Sequence, residues 1–227
     1  GHGIIALVTA GREHGLFETA DAPLVRIDTP AGRITATARH DKDGQVEAVS
    51  FLNVPSFVLH ERHPVEVDGV SVDCTIAFGG AFYAYVDAEL FGLQLVPGEA
   101  ARMIDLGRKI KETINREEFI RHPTGEPDMN FLYGTIFVLQ GPEPGHSRNA
   151  CVFAEGELDR SPTGTGVSGR AAIEYHKGSL GPGEVMKIDS FIGTRFEVKY
   201  EQELEIAGIA AIVPEVSGSA YICGDHR

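Results

Sequence analysis

The sequence predicts a mixed α/β protein built from two related halves, and three observations carry that prediction. Twenty-seven glycines and twelve prolines in 227 residues demand frequent chain reversals and so favour many short strands. Apolar residues at helical spacing follow glycine-rich turns in two places. Those two places also match each other along the chain, which is the signature of an internal repeat.

Taken in order, Gly1-His2-Gly3 leads into Ile4, Ile5, Leu7 and Val8, predicting a helix that ends near His14-Gly15. Val25-Arg26-Ile27-Asp28-Thr29 reads as a strand. Residues 33–52 alternate as strands around the turn Asp41-Lys42-Asp43-Gly44. Residues 65–87 read as strands interrupted by Gly79-Gly80. Pro97 opens a helix to about Asn115 with Met103, Ile104, Leu106, Ile110 and Ile114 as its apolar stripe. A polar loop is expected over 121–130, then strands over 131–139 and 149–155. The second glycine turn, Gly164-Thr165-Gly166, begins a helix ending near His176-Lys177-Gly178, and Met186-Lys187-Ile188-Asp189-Ser190 is the strand after it. The acidic stretch from Glu197 to Glu205 reads as a solvated strand face.

The repeat pairs Gly1-His2-Gly3 with Gly164-Thr165-Gly166, the two helices, the strands around Asp28 and Asp189, and Asn53-Val54-Pro55 with Ile212-Val213-Pro214. The offsets run from 159 to 163 positions. The expected division is a first domain of residues 1–56 plus 215–227 and a second of 57–214. Because the chain enters an apolar helix with no Met and no polar lead-in, an N-terminal portion of the first domain is expected to precede Gly1.

A formal net charge of −13 works against nucleic acid or an anionic membrane as partner. No apolar run approaches the roughly 20 residues of a membrane span, and no signal peptide pattern opens the chain. Cys74, Cys151 and Cys223 lack metal-ligand or CxxC spacing, and the histidines form no HxH or HExxH pattern. A cytoplasmic protein without metal or other cofactor, acting on a small molecule as a monomer or homodimer, is expected.

The glycine turns suggest what that molecule is. The first N–H groups of a helix lack intrahelical partners and carry the positive end of its dipole, and glycine lets a ligand approach them closely. Two such turns facing each other would grip one small anion. No GxxxxGK[ST] motif accompanies either turn, so an amino-acid carboxylate fits better than a nucleotide phosphate.

Asp159-Arg160-Ser161-Pro162-Thr163-Gly164-Thr165-Gly166 resembles the DRSPCGTG motif of proline racemases and hydroxyproline epimerases. Gly1-His2-Gly3-Ile4-Ile5-Ala6 is similar to the continuation of that family's MCGH motif. Phe78-Gly79-Gly80-Ala81-Phe82-Tyr83-Ala84 resembles its central glycine-aromatic segment, and Phe131-Leu132-Tyr133-Gly134-Thr135-Ile136 a segment of its dehydratase branch. The resemblance implies a diaminopimelate epimerase-like fold, two pseudo-symmetric domains each with a β-sheet curled round a central helix, and a site between them. It also implies that racemases of the family place one cysteine on each face of the substrate α-carbon.

Here the second cysteine is replaced by Thr163, and the first is expected immediately before Gly1. A threonine hydroxyl has no accessible anion near neutral pH without a strong base, so two-base racemisation is disfavoured. The family's trans-3-hydroxy-L-proline dehydratases carry the same Cys/Thr pairing. In that substrate the α-hydrogen and the 3-hydroxyl lie on one face of the ring, so one thiolate could take the proton and return it to the departing hydroxyl. The product would be Δ1-pyrroline-2-carboxylate. Rival readings are a proline racemase or 4-hydroxyproline epimerase, and a non-catalytic amino-acid-binding module.

By resemblance, Gly1, His2, Gly164 and Thr165 hold the substrate, with turn N–H groups on its carboxylate. His2 either contacts the ring nitrogen or caps its helix. Asp159 either meets the amine or closes an Asx-turn before Ser161-Pro162. Phe153 either walls the ring or is an ordinary core residue. Thr163, at the second cysteine's position, either bonds the substrate or is passive. Cys151, in an apolar run, reads as a buried structural cysteine.

Overall fold

Three helices and twelve strands arrange these segments in the computed structural model, which describes residues 1–17, 24–117, 119–124 and 127–224. Helix α1 (His2–Glu13) follows Gly1 and buries Ile5, Val8, Thr9 and Gly11 along one side only. Strands β1 (Leu24–Thr29), β2 (Gly32–His40) and β3 (Val46–Leu52) form an antiparallel meander against which α1 lies. Its second turn falls where the sequence puts it: Asp41 Oδ1 accepts the N–H groups of Asp43 and Gln45, and Gly44 takes φ 83°.

Strand β4 (Ser56–Val67) begins well before residue 65, where the strand was expected. Its middle, His60 to Pro64, is polar, and its pairing with β5 (Val70–Phe78) shifts register between Val58 and His60 and again between His60 and His63. Those bulges break the alternation that marks a strand. Gly79-Gly80 separates β5 from β6 (Phe82–Asp87), as expected. Pro97 opens a single 3-10 turn into α2 (Ala100–Arg116), whose buried stripe is Met103, Leu106, Gly107, Ile110 and Ile114. The expected 121–130 loop contains one 3-10 turn, Pro127–Met129, and positions 125 and 126 lie outside the described residues. Then come β7 (Leu132–Gln140), β8 (His146–Phe153), β9 (Glu157–Leu158), α3 (Gly164–His176), β10 (Met186–Ser190), β11 (Arg195–Ile206) and β12 (Ile209–Gly218).

All twelve strands share one mixed sheet, in the order β1-β2-β3-β12-β11-β10-β8-β7-β6-β5-β4, with β9 on β8. The β6–β7 and β8–β10 pairs are parallel and every other pair antiparallel. Strand β12 decides the shape because it changes partner along its length. Residues 215–218 pair with β3, whereas Ala211 and Ile212 pair with Phe57 and Ser56 of β4. The second pairing closes eight strands, β12 back round to β4, into a ring.

Helix α3 runs inside that ring, touching β4, β5, β6, β11 and β12. Every residue of α3 from Gly166 to Ile173 is buried, Ser168 and Arg170 included, so the helix is covered on all sides. The two segments of the sequence repeat meet where β12 crosses, the Asn53 N–H donating to the Pro214 carbonyl at 2.9 Å.

Candidate active site

The starts of α1 and α3 abut. A Cβ on Gly1 would lie 2.1 Å from the Cα of Gly164, and one on Gly164 would lie 2.3 Å from the Cα of Gly1. Only glycine permits that approach. In α3 the first helical bond runs from the Val167 N–H to the Thr163 carbonyl, so the N–H groups of Gly164, Thr165 and Gly166 are unused within the helix. In α1 the first bonds run from Ile4 and Ile5 to the Gly1 carbonyl. The donors predicted to hold a carboxylate therefore converge on one place from two helices.

A largely apolar cavity of about 620 Å³ opens over this junction. Of the residues singled out from the sequence, Gly1, His2, Phe153, Asp159, Thr163 and Thr165 all line it. Gly164 stands directly behind Gly1. Thr163 precedes α3 with φ 69° and ψ 102°, an unfavourable region for a β-branched residue. Three bonds hold it there: its N–H donates to Ser161 Oγ, its hydroxyl to Asp159 Oδ2 at 2.9 Å, and its carbonyl accepts from Val167.

Asp159, only 7% exposed, is the hub. Its Oδ1 accepts the Ser161 N–H at 2.8 Å, which is the Asx-turn. Its Oδ2 takes the Thr163 hydroxyl and lies 3.2 Å from Nδ1 of His2, on the opposite helix. Burial pushes the carboxyl up, but His2, the Ser161 N–H and the Thr163 hydroxyl outweigh it and hold the group below the ordinary carboxylate value. Asp159 is thus an anion near neutral pH, tied to both helix starts.

Several aromatic residues without a role predicted from the sequence also shape the site. Tyr83, quoted only within the central glycine segment, is buried in β6 and places its hydroxyl 2.8 Å from Thr165 Oγ1. Tyr85 donates to the Gly166 carbonyl at 2.7 Å. Burial holds both phenols well above their ordinary value, so they remain protonated. Tyr133 lies edge-on to Tyr83 and also meets Phe153, completing an aromatic wall. Asn53 donates to the Gly79 carbonyl and to Ser168 Oγ, both at 2.8 Å, pinning the glycine link to α3.

Cys151 lies buried under Thr163, and burial raises its thiol far above the thiolate range. Cys74 is likewise buried, and burial pushes its thiol up to about 12. Neither is poised as a base. Among the described residues no three His, Cys, Asp or Glu side chains gather as a metal site, and no helix is long and apolar enough to cross a membrane.

Paired helix starts meet over an apolar cavity, with one buried carboxylate between them. Residues 1–227 match the model of the proline racemase family, and the chain belongs to that family. It is 46% identical over 227 residues to a trans-3-hydroxy-L-proline dehydratase of Colwellia psychrerythraea, covering 99% of this chain and 63% of the relative. It is 40% identical to a 3-hydroxyproline 2-epimerase of Burkholderia multivorans, covering 99% of this chain and 67% of that protein. The crystal structure of a hydroxyproline epimerase from Agrobacterium vitis with bound trans-4-hydroxy-L-proline superposes with a TM-score of 0.89 at 31% identity, covering 99% of this chain and 65% of that one. The chain therefore spans somewhat less than two thirds of the Colwellia dehydratase's length.

Proposed function

We propose that this chain carries the substrate cleft of a cofactor-independent hydro-lyase that dehydrates trans-3-hydroxy-L-proline to Δ1-pyrroline-2-carboxylate. The thiolate of a cysteine immediately preceding Gly1 serves as base. The observation that carries the reading is Thr163. It occupies the position of the family's second cysteine, faces the shared cavity, and has its only hydroxyl proton committed to Asp159. With sulfur on one side of the ring alone, inversion at the α-carbon has no second base, whereas loss of two groups from one face needs only that side.

In this reading the substrate carboxylate sits on the N–H groups of Gly1, His2, Gly164 and Thr165, as expected for an anion at helix N-termini. Asp159 balances the ring ammonium, and Phe153 with Tyr133 walls the ring. In this reading the two helix starts belong to two related domains: the sheet of one closes round α3, α1 lies on β2 and β3 of the other, and β12 pairs with a strand of each. The enzyme needs no metal and works as a monomer or homodimer.

The test is an assay of both this chain and the complete gene product on trans-3-hydroxy-L-proline, trans-4-hydroxy-L-proline and L-proline. Water loss and α-deuterium incorporation are followed together. Imine formation from the 3-hydroxy substrate without inversion of the others is expected of the complete gene product. Incorporation with inversion would show an epimerase instead, and saturable binding with neither reaction a binding module.

A further inference from the structure

Dehydration requires a proton for the departing hydroxyl, and the groups around the cavity differ in their freedom to give one. The Thr163 hydroxyl is engaged as a hydrogen-bond donor to Asp159. Tyr83 is engaged with Thr165 and Tyr85 with Gly166. His2 is placed differently. It is the first residue of α1, its side chain is 58% exposed, and it lines the cavity. One face of its ring chemistry is fixed by the protein: Nδ1 stands 3.2 Å from Asp159 Oδ2. That oxygen is itself held by the Thr163 hydroxyl, and its partner oxygen by the Ser161 N–H. A carboxylate locked opposite Nδ1 selects the tautomer with its proton on that nitrogen and turns Nε2 into the ring's free end. Among the described residues no hydrogen bond or ion pair engages Nε2.

We propose that His2, oriented by Asp159, is the general acid that protonates the leaving hydroxyl, in place of a proton returned by the thiol. The inference rests on the dehydratase reading above. The base takes the α-hydrogen as a proton, and the C–H electron pair becomes the Cα–C3 double bond. The C3–O bond breaks, its electron pair stays on oxygen, and that oxygen takes the Nε2 proton and leaves as water. His2 is left neutral with its Nδ1 proton toward Asp159. The enamine then gains a proton at C3 and loses one from nitrogen to give the cyclic imine. The placement suits the stereochemistry: in trans-3-hydroxy-L-proline the α-hydrogen and hydroxyl share a face, and His2 lies on the α1 side, from which the dehydratase reading has the base act.

The test uses the complete gene product with His2→Gln, a side chain that can still meet Asp159 but cannot deliver a proton as an imidazolium does. Three rates are read: water loss from trans-3-hydroxy-L-proline, α-deuterium incorporation in heavy water, and fluoride release from trans-3-fluoro-L-proline, whose leaving group departs without a full proton transfer. Water loss is expected to fall about 10²–10⁴-fold, the usual worth of a general acid. Incorporation and fluoride release should stay within about tenfold of the unaltered enzyme. A parallel fall in all three would reduce His2 to a binding residue, and undiminished water loss would return the proton transfer to the thiol. Tyr133→Phe is the control, since that phenol also lines the wall; the same split there and not at His2 would move the acid to Tyr133. If the unaltered enzyme neither incorporates deuterium nor loses water, the dehydratase reading itself fails, which is a different result.

Discussion

Asp159 shows how one side chain can be legible in sequence while its effect on stability is not. Burial alone would favour its neutral form, yet its partners keep it ionised. A carboxylate held below its unfolded value, which is about 3.9, adds stability that is fully present above that value. The contribution disappears as pH falls through the lower, folded value. Asp159→Asn should therefore cost about 1–3 kcal/mol at neutral pH, measured by urea unfolding. The gap between the two proteins should narrow as pH falls below the unfolded value and through the lower, folded one. A gap that stays constant from pH 7 to 2.5 would mean that shape, and not charge, holds the site. The sequence motif showed Asp159, Thr163 and the glycines because they are neighbours in the chain. Tyr83, Tyr133 and Asn53 reach the cavity from separate parts of the chain, and although each lies in a segment that the sequence singles out, nothing there assigns the side chain a role.

Among the elements, the link between β5 and β6 is tightly constrained. A Cβ on Gly79 would come within 2.2 Å of the Thr165 carbonyl oxygen and 2.5 Å of the Gly169 nitrogen, both backbone atoms of α3 that cannot swing aside. Gly79→Ala should lower the unfolding free energy by about 1–3 kcal/mol, the typical cost of overpacking. It should also weaken substrate binding, since it pushes Thr165 away from the junction. Unchanged stability would show that α3 has slack in the ring. The glycine pair itself was plain from the sequence, as were α1, α2, α3 and the β2–β3 turn, where periodicity and turn chemistry agree. The first nine residues of β4 were not, because two register shifts and the run His60-Glu61-Arg62-His63 mask the strand pattern. A strand of that kind is defined by its partner, which single-sequence reasoning does not see.

At the scale of the whole molecule the internal repeat pointed to two helices presenting their starts to one another, and the abutting of Gly1 and Gly164 is its physical form. What the repeat could not convey is the asymmetry around those helices. Eight strands close round α3, whereas α1 rests on β2 and β3. That difference should be visible as protection of backbone amides. The N–H groups of α3 from Val167 to Ile173 have no local opening that spares the surrounding ring, so their protons should be lost to solvent only when the chain unfolds globally. Those of α1 should be lost through far smaller fluctuations. Mass spectrometry after timed labelling would read the two helices separately, and equal protection would refute the caged arrangement. One start of the cleft would then be a fixed anvil, and the other the side free to adjust to what lies on it.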